Sequence, residues 1–86
     1  KRLVENDCLI LGSSDSPVQS VDPFLQMTGM VNFYLENESI SVYEALKSYT
    51  VNPSIVLNEL DIGIIKEGNI ADFIVISKDL LRCRIV

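Results

Sequence analysis

The run Cys8-Leu9-Ile10-Leu11 constrains the fold more than any other stretch of this chain. Four apolar residues in succession leave no polar face for water, so they fit a strand buried on both sides, of the kind found in parallel sheets covered by helices. The run stops at Gly12. Ser13, Ser14, Asp15, Ser16 and Pro17 follow, mostly short polar side chains able to bond the local backbone, and Pro17 disfavours helix at Ser16. A turn is expected there, carrying one lone carboxylate, Asp15.

Helical signals come next. Asp22 can cap a helix whose first residue is Pro23, with Phe24, Met27, Val31 and Tyr34 on one face. After the polar break Glu36 to Ser39, Ser41-Val42-Tyr43-Glu44 forms a capping box, and Val42, Ala45, Leu46 and Tyr49 make an apolar stripe that ends near Thr50. Asn52-Pro53 repeats the cap-then-proline pattern and predicts a short third helix to about Asn58. The period then changes. Ile62 to Ile65 and Phe73 to Ser77 are rich in β-branched residues and flank Lys66-Glu67-Gly68-Asn69, where Gly68 or Asn69 can take a left-handed conformation, so a hairpin is expected. Leu80 to Val86 alternates loosely and reads as a further strand.

Size limits what these elements can do alone. At 86 residues the chain is one small domain at most, and a chain of this size buries only about 60–65% of its unfolded surface. Its 48% hydrophobic content is more than such a body can easily cover, so apolar surface is expected to meet another chain or a missing part of this one. The opening residue, Lys1, likewise reads as the start of a piece of something longer. A net charge of −5 without a basic cluster argues against nucleic acid and anionic membranes as partners. No apolar stretch approaches the roughly 18 residues of a membrane span, and the N-terminus has no signal-peptide pattern. Cys8 and Cys83 form no CxxC pair. Both read as reduced thiols, Cys8 on the buried strand, in a cytoplasmic setting, with a Cys8–Cys83 bridge as the lesser alternative.

Gly63 through Val75, sequence GIIKEGNIADFIV, resembles the G-x-[IL]-x-x-G-x-x-A-D-[FL]-[IV]-V signature near the C-terminus of the metal-dependent amidohydrolase superfamily. Leu11 to Val18 is similar to the G-S-D-x-P-V stretch after that family's last barrel strand, and Asp22-Pro23-Phe24 to the D-P motif beyond it. Glu44-Ala45-Leu46 and Tyr49-Thr50-Val51-Asn52-Pro53 resemble its E-A-L and Y-T-x-N-[PA] helix pair. The likeness runs from about Cys8 to Ser77 and is nearest to the YtcJ-like group, amidohydrolase family 3. It implies an α/β architecture: the C-terminal fragment of a (β/α)8 barrel, with its last strand and following helices, plus strands of a composite β-sandwich subdomain. Residues 1–58 would end the barrel, and residues 59–86 would supply sandwich strands.

By that resemblance Asp15 is both the catalytic carboxylate and a metal ligand at the C-terminal end of a barrel strand. It would take a proton from water and pass it to the leaving amine. A divalent metal, zinc by preference, and a small amide-type substrate are implied for the full-length parent. The competing reading makes Asp15 the closing residue of an Asx-type turn. One departure stands out: Ser13 occupies the place of the family's glycine, with Gly12 one position earlier, implying a register shift or altered backbone. The serines read as turn residues, because the chain has no histidine to activate them. For the same reason no other ligand carries over. One aspartate does not make a zinc site, so this chain alone is expected to hold no metal, to be inactive, and to self-associate through its uncovered faces. A non-catalytic, self-associating interaction domain is the alternative. Asp72 reads as a turn cap, Asp22 as a helix cap, and Glu36 and Glu38 as solvated loop charges; Phe24, Met27 and Tyr34 belong to the core or line substrate space.

Overall fold

The computed structural model describes residues 1–33 and 35–82, apart from the Glu36 side chain. Among the described residues there are four helices: α1 (Arg2–Glu5), α2 (Pro23–Val31), α3 (Val42–Tyr49) and α4 (Val51–Val56), with a 3-10 turn at Glu36–Glu38 before α3. Tyr34, Cys83 and the end of the expected tail strand lie outside the described residues.

Helix α2 starts as its sequence predicts. The Asp22 carboxylate accepts the Phe24 N–H at 2.9 Å, and Pro23 occupies the first turn, where its missing N–H costs nothing. Ser41 caps α3 in the same way, accepting from Glu44 N–H at 3.1 Å. The Glu44 carboxylate meets Lys47 at 3.6 Å, one turn along the helix. That ammonium in turn lies 5.3 Å from the centre of the Tyr43 ring.

Helix α4 begins one residue after α3, with Thr50 capping both. Asn52 was expected to cap this helix from outside. Instead it is the second helical residue and only 2% exposed, because its amide bonds a carbonyl far away in the chain and leaves its own helix's N–H groups alone. Helix α1 carried no sequence signal; it is one turn, closed by Cys8 N–H donating back to Leu3 O at 2.9 Å.

The core sits where α3 packs between α2 and α4. Met27, Ala45, Ser48, Asn52 and Ser54 are its buried residues. Ala45 is fully buried, and so small a side chain lets neighbouring segments approach closely. Met27 is therefore core, whereas Phe24 is exposed on the same helix. The Ser48 hydroxyl, also fully buried, donates to Ala45 O at 2.6 Å, so the group meets no unpaired burial cost.

No strand ladder forms among the described residues. The Cys8–Leu11 segment runs beside helices, and Cys8, Leu9 and Leu11 are exposed, which corrects the buried placement expected for Cys8. A ladder needs a second extended segment alongside, and what lies alongside here is the corner between α3 and α4. The Lys66–Asn69 turn does form, with Asn69 N–H donating to Lys66 O at 3.1 Å and Gly68 at φ +89°. Its flanks do not pair as strands; Ile65 and Val75 are 84% and 89% exposed. The result is an open molecule. Its surface is 6836 Å², against about 5,100 Å² for a compact chain of this mass. Its radius of gyration is 13.6 Å, against about 12 Å.

Candidate functional site

The segment leading to Asp15 is anchored to the helical corner by two hydrogen bonds. Asn52 Nδ2 donates to Ile10 O at 3.0 Å, and Gly12 N–H donates to Ser48 O at 3.0 Å. Gly12 also lies against the Tyr49 ring so closely that a Cβ there would fall 2.1 Å from a ring carbon. Tyr49 is held in turn: its hydroxyl donates to Gln26 Oε1, and Gln26 Nε2 donates to Ser20 O at 2.6 Å. Burial pushes the Tyr49 phenol above its ordinary pKa of 10.0. The chain is thus fixed at Ile10 and Gly12 on one side of the turn and at Ser20 on the other.

Gly12→Ala should therefore destabilise the protein by about 1–3 kcal/mol, the usual range for overpacking a filled site. Gly29→Ala in α2 is the contrast, since nothing lies within 4 Å of its added methyl. It should stabilise by up to about 1 kcal/mol through helix propensity. Urea unfolding of both variants reads the difference.

Between the anchors, Asp15 opens a four-residue turn in which Val18 N–H donates to Asp15 O at 2.9 Å. The Ser16–Pro17 peptide is cis, the arrangement of a type VI turn. Asp15 has φ +49°, a left-handed conformation that Asp and Asn adopt more readily than most residues. Its own N–H donates to Ser13 Oγ at 3.3 Å. The Asp15 side chain is exposed and closes no Asx turn; a serine hydroxyl and the aspartate's backbone carbonyl hold the loop instead.

Other carboxylates lie apart from this arrangement. Asp22 is committed to its cap. Asp72 is exposed in an open groove of about 860 Å³ lined by Leu46, Tyr49, Pro53, Ile62 and Phe73 among others. The nearby turn is closed by backbone bonds rather than by the Asp72 side chain expected to cap it. Among the described residues no three His, Cys, Asp or Glu side chains gather closely enough to hold a metal ion. The Asp15 carboxylate by itself does not fit a zinc centre, which takes three or four protein donors. No described helix is long and apolar enough to cross a membrane. Sequence reasoning missed Asn52, Gly12 and Tyr49 as the supports of this loop. Their one common signal was that all lie in or beside the quoted motifs.

Comparison with known proteins adds context to this geometry. A sequence model of the amidohydrolase family matches residues 1–84. YtcJ of Bacillus subtilis (strain 168), a protein named as an amidohydrolase, is 38% identical over 90 residues, an alignment covering 92% of this chain and 17% of that protein. The chain thus spans only 17% of the length of the relative it matches. No solved structure matches it.

Proposed function

Because the chain belongs to the amidohydrolase family, we propose that it is the C-terminal part of a metal-dependent hydrolase acting on amide or cyclic amide C–N bonds. Asp15 is the carboxylate it contributes to the reacting centre. The observation that carries this reading is the state of that side chain: exposed, not spent on closing its own turn, and presented on a loop fixed at both ends.

In this proposal Asp15 takes a proton from water as the water oxygen adds to the amide carbon. The proton then passes to the nitrogen as the C–N bond breaks. The metal donors other than Asp15 come from residues outside this sequence, which has no histidine. Residues 1–58 close a (β/α)8 barrel and residues 59–86 join a β-sandwich, so Cys8–Leu11 gains its strand partners from the rest of the protein. Surface exceeding that of a compact chain by about 1,700 Å² supports this, since a standard interface buries about 800 Å² per partner. An exposed thiol at Cys8 fits the cytoplasm.

The exposed run Phe73–Ile76 favours a second reading, a self-associating module without catalysis. The intact mass of the natural gene product, followed by an amide-hydrolysis screen, separates the two. A product of several hundred residues that hydrolyses amides supports the enzyme. A product near 9.6 kDa that associates with concentration and hydrolyses nothing overturns it.

A further inference from the structure

We propose that Asn52 is a positioning residue for the Asp15 carboxylate, an inference that rests on the catalytic reading of Asp15. Asn52 is 2% exposed, and its Oδ1 is buried without a hydrogen-bond partner among the described residues. A buried amide that meets only part of its hydrogen-bonding capacity is unfavourable, and packing alone would select an apolar side chain, as at Met27 and Ala45 in the same core. What the amide provides is the bond from Nδ2 to Ile10 O, at 3.0 Å, across 42 residues of sequence.

That bond acts on Asp15 through a short path. Ile10 is held by Asn52, and two residues later Gly12 donates to Ser48 O under the Tyr49 ring. Three residues further on stands Asp15, in a turn whose exit is held by the Gln26 bond to Ser20 O. Release of Ile10 leaves the entry to this span held by the Gly12 bond to Ser48 O alone, one of its two anchors, so the carboxylate's direction is less tightly set without the helices coming apart. Asn52 touches neither substrate nor reacting atoms; it sets where Asp15 points.

The test uses the full-length protein with two substitutions. Asn52→Ala removes the amide. Asn52→Leu fills the volume with apolar atoms and removes the orphaned acceptor, so the main thing lost is the bond to Ile10. Both should lower kcat for amide hydrolysis about 10–100-fold, the range typical of residues that orient a reacting group, with KM within about twofold. Amide hydrogen exchange of residues 8–18 should rise at least about tenfold, with α2 unchanged. A kcat per folded molecule at the wild-type value, or faster exchange spread evenly over α2 and α3, overturns the proposal and makes Asn52 a packing residue. Asp15→Asn at the wild-type rate overturns instead the catalytic reading of Asp15. The exchange measurement needs no turnover, so it reads the Asn52 clamp even then.

Discussion

Asp15→Asn should lower amide hydrolysis by the full-length protein about 10²- to 10⁴-fold, the contribution typical of a positioned acid–base group. The substitution is chosen for what it leaves intact. Asn tolerates the left-handed backbone at φ +49° as well as Asp does, and the bonds of the turn run through Asp15 backbone atoms and the Ser13 hydroxyl. Stability should therefore stay within about 0.5 kcal/mol of the wild type, while the amide has no basicity with which to take a proton. Steady-state kinetics and thermal unfolding on the same samples make the comparison. A variant that keeps its rate would show Asp15 to be an ordinary turn residue. Asp15→Ala is a poorer probe, because an alanine forced into that conformation costs about 1–2 kcal/mol of its own.

Gly63→Ala should be the most damaging small substitution in the chain, at about 2–4 kcal/mol. Two effects combine. The residue has φ +86°, which disfavours any Cβ, and an added Cβ would lie 2.7 Å from Thr50 O and 3.2 Å from Ser54 Oγ. Thr50 cannot yield easily, since it ends α3 and begins α4 in a single residue. Gly68→Ala isolates the first effect, having φ +89° with nothing within 4 Å, and should cost only about 1–2 kcal/mol. Chemical denaturation of the two variants gives the ratio. Equal losses would mean that the start of the GIIKEGNIADFIV segment does not rest on the α3–α4 corner. With so few buried residues, a loss of the larger size is a substantial part of the total stability.

Legibility in the sequence followed distance along the chain. The Asp22 and Ser41 caps and the turn at Gly68 were all readable, because each joins groups two or three residues apart. Asn52 was misread for the same reason. Its local pattern, Asn before Pro, is that of a cap, and only its carbonyl partner 42 residues upstream explains why it is buried inside the helix. The apolar runs at Cys8–Leu11 and Phe73–Ser77 showed a need for partners but not where those partners lie. The described residues supply none as a strand ladder.

By itself, then, the sequence determined the starts of α2 and α3, the turns, the lone carboxylate of Asp15 and, through its motifs, the family. These depend on short-range hydrogen bonding and on residue identity, both written in consecutive positions. Only the tertiary structure decided that Asn52 holds Ile10, that Tyr49 covers Gly12, and that Gly63 rests on Thr50. Each of these pairs is separated by a stretch of chain whose folding brings it together, and no local periodicity encodes which distant carbonyl or ring a given side chain will meet.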